Sequence, residues 1–228
     1  MQNVLIIAPH PDDAELAMAG TIAKMTDSGL NVTIVDLTDG EPTPFGSRQI
    51  RKEETALATE ILRIKNRDCL NLPNRYLYPT LKNRKKIAET IRTFQPDIMF
   101  GPAEPDFHPD HVAATKLLDG AIFEAKLCKT RLAAEPHQIT KRFGYYSHHR
   151  FDYPAPSFIV DITDYWDKKI ESIKAYQSQI KNHQSNEISI VEKIENVCRY
   201  FGQSIGVKFG EPFYSYQPLS EDVLNLKT

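Results

Sequence analysis

Three of the chain's seven histidines fall in two short stretches of similar composition. The first is Ala8-Pro9-His10-Pro11-Asp12-Asp13-Ala14-Glu15; the second is Phe107-His108-Pro109-Asp110-His111. Imidazoles and carboxylates bind borderline divalent cations, and they also move protons. Proline on both sides of His10 keeps the backbone extended and stiff there. Taken alone, the first stretch reads equally well as a His-Pro turn in which Asp13 compensates a helix N-terminus. The second stretch shifts that balance: it repeats His, Pro and Asp, and sets His108 and His111 three apart across one helical turn. A His/Asp/His set without thiolates suits Zn2+, with Fe2+ or another divalent ion as alternatives. Three protein ligands leave a position open for chemistry. Asp12 is then the carboxylate left over to take a proton from water.

Such chemistry needs a scaffold that brings two distant turns together. Residues 4–8 form an apolar run that reads as a buried strand, followed by a helix over 13–28 that Gly29 is suited to stop. A second strand is expected over 31–37, a Gly/Pro/Thr loop over 38–47, and a helix over 48–64 with Ile50, Leu57, Ile61 and Ile64 near a 3.6 period. Then come a strand over 68–72, a helix over 81–94 carrying Ile87 and Ile91 inward, a strand over 97–101 and a helix over 112–126. This alternation predicts an α/β, Rossmann-like fold: a mostly parallel twisted sheet flanked by helices. Both histidine turns and the 38–47 loop then share the strand C-terminal edge, where such sheets bind ligands. Further on, strands over 143–147 and 158–162, a helix over 165–180 capped by Asp164, a helix over 190–201 and an ordered aromatic tail over 206–218 are expected. The whole reads as a single domain over 1–228, with a catalytic core over about 1–126 and C-terminal elements over about 140–228.

The bulk numbers narrow the function classes. With 41% hydrophobic and 25% charged residues a packed core is expected, and a net charge of -2 with interspersed signs gives no nucleic-acid footprint. No apolar run reaches the length of a membrane span. Cys69, Cys128 and Cys198 are too scattered for a disulfide framework or thiolate zinc site, and with no leader-like N-terminus they predict a cytoplasmic protein. Asp36 ends the second strand as a ribose-binding residue would, but no GxGxxG follows the first strand. His148 and His149 are adjacent on an extended chain, so they should point apart and read as solvated. His137 and His183 read as loop residues, and Tyr145, Tyr146, Phe151 and Tyr153 as packing.

Together the two histidine stretches resemble the PIG-L/LmbE-like superfamily of metal-dependent N-acetylglucosamine deacetylases, and most nearly its bacillithiol-pathway branch. Supporting stretches are Ala19-Gly20-Thr21-Ile22-Ala23-Lys24, Asp36-Leu37-Thr38, Arg51-Lys52-Glu53-Glu54, Asn71-Leu72-Pro73-Asn74-Arg75, Ala175-Tyr176-Gln177-Ser178-Gln179 and Phe201-Gly202. The resemblance implies that His10, Asp13 and His111 bind zinc and that Asp12 is the general base. It implies that His108 stabilises the oxyanion, that Asp110 orients a histidine, and that Arg51 contacts the substrate, with Arg48 near enough to compete. Glu15 is implied as a contact to a sugar hydroxyl. The implied reaction removes the N-acetyl group from an N-acetylglucosamine-type substrate, GlcNAc-malate among them, releasing acetate and free amine. Alternatives are another acylated amino-sugar or thiol conjugate, or a non-catalytic metal- or nucleotide-binding module. A homo-oligomer, trimer or hexamer, is also implied. Two departures stand out: no Tyr lies near Ile190, leaving Tyr200 and Tyr214 as candidates, and the 39–47 loop differs from the bacillithiol branch.

Overall fold

Strand β1 (Asn3–Ala8) is buried on both faces and still sorts its side chains by the two-residue period of a strand. Val4, Ile6 and Ala8 join one core layer, while Leu5 and Ile7 join the other. The computed structural model describes residues 2–149, 152–182 and 188–219; His183 and Phe151 lie outside them. After β1 come α1 (Asp13–Asp27), β2 (Asn31–Asp36), α2 (Arg48–Ile61), β3 (Asn66–Cys69), α3 (Leu81–Phe94), β4 (Ile98–Pro102) and α4 (Pro109–Ala125). The remainder is β5 (Lys141–Tyr145), β6 (Phe158–Asp161), α5 (Trp166–Lys174), α6 (Gln177–Asn182), α7 (Ile190–Ser204) and β7 (Gly210–Ser215).

The sheet order is β3-β2-β1-β4-β5-β7-β6. Ladders from β3 through β5 are parallel, and β7 lies antiparallel between β5 and β6. Chain direction along the sheet order reverses between β1 and β4, the switch point where ligands bind in such sheets. The two histidine turns leave those two strands at that crevice. The aromatic tail therefore forms β7, inserted between β5 and the edge strand β6.

Several local expectations shift. Strand β3 runs from Asn66, not Asp68, because its polar residues pair Thr33↔Asn66 through Asp36↔Cys69 along β2. Ile50 and Leu57 of α2 are exposed, and the buried face holds Arg51, Glu54 and Ala58. The helix expected over 165–180 is broken at Ala175–Tyr176 into α5 and α6. Glu54 supplies the cap at the break, accepting the Ser178 N–H at 2.6 Å and its hydroxyl at 2.7 Å. Asp164 lies in a 3-10 turn (Thr163–Tyr165), and Asp161 accepts the Thr163 N–H there instead.

Helix α1 is also broken, at Met18. Glu211 of β7 fills the break, taking N–H bonds from Gly20 and Thr21 and the Thr21 hydroxyl. Lys169 of α5, fully buried, bonds the Glu15 and Leu16 carbonyls and Glu211 at 2.7 Å. A β-branched side chain packs here as well: Ile162 sits so close to Gly20 that an added Cβ would lie 2.7 Å away.

Candidate active site

The β1–α1 turn gives its carboxylates different surroundings. Asp12, the N-cap of α1, has φ 106° and makes no side-chain cap bond, so its carboxylate is aimed elsewhere. Asp13, the first residue of α1, is buried, and its Oδ2 accepts the His10 N–H at 2.9 Å. The same oxygen lies 3.1 Å from His10 Nδ1 and 3.2 Å from His111 Nε2.

The β4–α4 turn is built differently. His108 is the N-cap of α4 in extended conformation, and its Nδ1 accepts the Asp110 N–H at 3.2 Å. That bond puts a neutral His108 in the tautomer with its proton on Nε2. Burial, with His111 and His10 nearby, depresses its pKa to about 4, so it is neutral at physiological pH. Asp110 Oδ2 stands 3.1 Å from His10 Nε2 while its carboxylate also accepts the Arg75 and Leu77 N–H groups. Asp106, which no motif reading singled out, holds His111 Nδ1 at 2.9 Å and accepts the His108 N–H.

Each of His10 and His111 thus has one ring nitrogen anchored by a carboxylate and the other beside Asp13 Oδ2. With the anchored nitrogens protonated, two lone pairs and a carboxylate oxygen converge without a proton among them. His111 Nε2 is buried with no hydrogen bond. A divalent cation satisfies that arrangement, and carboxylate-anchored histidines are its usual supports. One nitrogen from each of His10, His108 and His111 lies within 4.8 Å of the others, but His108 Nδ1 is taken by the Asp110 N–H, which leaves Nε2 as a donor. The surrounding carboxylates call for positive charge, and without a cation the two rings take it up as protons. Burial opposes protonation of His10 and His111, yet their hydrogen bonds and attraction to Asp13, Asp110 and Asp106 raise them to about 9 and about 10.

Asp12 faces a cavity of about 180 Å³ lined also by His10, His108, His149, Arg51 and Gln179. Burial pushes its carboxyl up to about 6, against the pull of Arg51, whose Nη1 lies 3.0 Å from Asp12 Oδ2. Arg51 is itself buried and also approaches Glu41 at 3.7 Å. A larger groove of about 710 Å³ lies on the other side of Arg51, along Arg48, Asp36, Arg67 and Cys69, and none of the clustered histidines lines it.

The family model for PIG-L, GlcNAc-PI de-N-acetylase, matches residues 5–122, which include both turns. The chain belongs to the PIG-L family. Diacetylchitobiose deacetylase of Thermococcus kodakarensis is 31% identical over 92% of this chain and 82% of its own. A probable N-acetyl-alpha-D-glucosaminyl L-malate deacetylase 2 of Bacillus anthracis is 30% identical over 78% of this chain and 81% of its own. Among solved structures, the conserved protein TT1542 of Thermus thermophilus superposes with a TM-score of 0.88 at 37% identity, covering 96% of this chain and 97% of that one. As a PIG-L protein the chain is an N-deacetylase, a hydrolase of amide bonds in a metal-dependent family.

Not every expected PIG-L site residue reaches the cavity. Glu15 is fully buried, engaged by Arg67 and the Tyr176 hydroxyl, and does not line the cavity. Arg48 is exposed, pairs with Asp39 at 2.8 Å and borders the outer groove. Tyr200 and Tyr214 are both exposed and do not line the cavity. His148 and His149, expected to be solvated, both line it, their rings 3.9 Å apart and His149 5.3 Å from His108. They follow β5, so the rule that ligands gather at strand C-terminal ends, applied one strand further, would have found them.

Proposed function

We propose that the protein removes the N-acetyl group of an N-acetylglucosamine unit, with a divalent metal, zinc first among candidates, held by His10, Asp13 and His111. The observation that carries this reading is the convergence of His10 Nδ1 and the orphaned His111 Nε2 on Asp13 Oδ2. When bound, the metal supplies Lewis acidity to the acetyl carbonyl and lowers the pKa of water. Asp12 takes the proton of the attacking water, and its raised pKa suits a base working near neutrality. His108 presents Nε2–H to the oxyanion as the carbonyl carbon becomes tetrahedral; neutral and tautomerically fixed, it donates without losing its proton. Asp12 then returns the proton to the amine as the C–N bond breaks, leaving acetate and the free amino-sugar. Asp110 and Asp106 orient His10 and His111, and Arg51 holds Asp12 in place while facing the substrate cavity.

The names of the relatives support a GlcNAc-type substrate, since diacetylchitobiose and GlcNAc-malate share that unit. The decisive test is amine release from N-acetylglucosamine, diacetylchitobiose and GlcNAc-malate by protein stripped with chelator and reloaded with Zn2+ or Fe2+. Release that depends on metal is the expected outcome; no release from any of the three overturns the reading.

A further inference from the structure

Directly behind Asp12 lies a second, much smaller void of about 30 Å³, whose walls are Leu16, Ile173, Tyr176, Ile180 and Ile190. It shares Asp12, His148 and Gln179 with the catalytic cavity and is otherwise apolar. Beyond it, a further void of about 20 Å³ sits among Tyr146, Tyr153, Ile194, Val197 and Cys198. Leu16 and His148 line both voids and stand between them. The catalytic cavity is lined mainly by histidines, carboxylates, Arg51, Arg75 and amides, surfaces suited to hydroxyls and to the amide.

An acyl carbon attacked by water from Asp12 must lie within about 3–3.5 Å of that water, so its alkyl substituent starts next to Asp12. An apolar void is the place where that substituent gains from leaving water. We infer that the void behind Asp12 is the acyl-tail pocket, and that Leu16 is the stop that sets which acyl chains are removed. This rests on the deacetylase reading above and deepens it, from an N-acetyl to a length-selected N-acyl substrate. A void of that size holds about two carbon-sized groups, given that one water-sized sphere takes about 10–15 Å³. Acetyl and propanoyl tails therefore fit, and a butanoyl tail meets Leu16.

The test is a series of N-acyl glucosamines, acetyl through hexanoyl, turned over by metal-loaded protein. Wild-type kcat/KM should hold from acetyl to propanoyl and fall at least about fivefold at butanoyl, as overpacking costs of about 1–3 kcal/mol require. Leu16→Ala joins the two voids and should raise the butanoyl-to-acetyl ratio by roughly fourfold or more per methylene housed. Ile180→Ala, on a partly buried position of α6, widens the first void at smaller risk to folding and should raise the same ratio. Wild-type protein that cleaves hexanoyl as well as acetyl, or folded variants of both kinds with an unchanged ratio, overturns the acyl-tail pocket. Absence of turnover on every member, acetyl included, sinks the deacetylase reading instead.

Discussion

At the β1–α1 turn the helix starts from Asp12 in the left-handed region with its side chain withheld from capping. At the β4–α4 turn it starts from His108, extended, with its ring capping Asp110. Nearly the same residue types are therefore used in opposite ways. The first turn accepts backbone strain, of the order of 1–3 kcal/mol for such a residue, and keeps a carboxylate available to a proton. The second takes an ordinary cap bond and uses it to fix which nitrogen of His108 carries hydrogen. A base has to be left unengaged by its own helix, whereas a donor is best locked.

Asp12→Asn breaks the first turn's chemistry while keeping its shape, because Asn tolerates positive φ nearly as well as any residue but Gly. Deacetylation should fall about 10²- to 10⁴-fold with metal content unchanged, measured by amine release and metal analysis. At the second turn, His108→Asn keeps a capping side chain but removes the Nε2 donor, and should cost about 10²- to 10³-fold in kcat at near-native melting temperature. His108→Ala should cost as much activity and also about 1 kcal/mol of stability from the lost cap, which denaturant unfolding reads. Equal stability of wild type and His108→Ala would show that the ring is no cap.

Smaller effects test the supports. Asp106→Asn and Asp110→Asn should each weaken metal binding by about 10- to 100-fold, measured by chelator competition. Smallest is the change at Arg51→Met. Removing the guanidinium beside Asp12 takes away the attraction that lowers its pKa, so that pKa rises above about 6. A base must be ionised to act, so the acid limb of kcat/KM should move to higher pH; a limb that stays put removes Arg51 from that role.

Sequence pattern carries the sheet, the switch-point location and the two histidine turns, because buried parallel strands and residue types at their ends leave strong signals. Two helices of equal length show where it stops. In α3, Ile87 and Ile91 bury as their spacing predicts. Along α2 and just past its end the apolar period holds at Ile61 and Ile64 but fails at Ile50 and Leu57, since Arg51 and Glu54 turn inward to meet Asp12 and Ser178. A helix beside an active site buries charge against partners far along the chain, and hydropathy cannot register those partners. Glu15 escapes the pattern for the same reason, its partners Arg67 and Tyr176 lying 52 and 161 residues away. The break between α5 and α6 is hidden because the residue that caps it belongs to α2.

The clasp of Lys169 and Glu211 across the break in α1 also sets a timetable. The catalytic turn is made well before β7, and the carboxylate that seats its helix sits 190 residues or more behind it. At about 5–20 residues per second of synthesis, that carboxylate follows roughly 10–40 s later. Until it arrives, Lys169 lacks its ion-pair partner Glu211, and the Gly20 and Thr21 N–H groups lack the carboxylate that accepts them. A chain ending short of β7 would carry every proposed metal ligand and the proposed base, and would still lack the element that completes the seat beneath them.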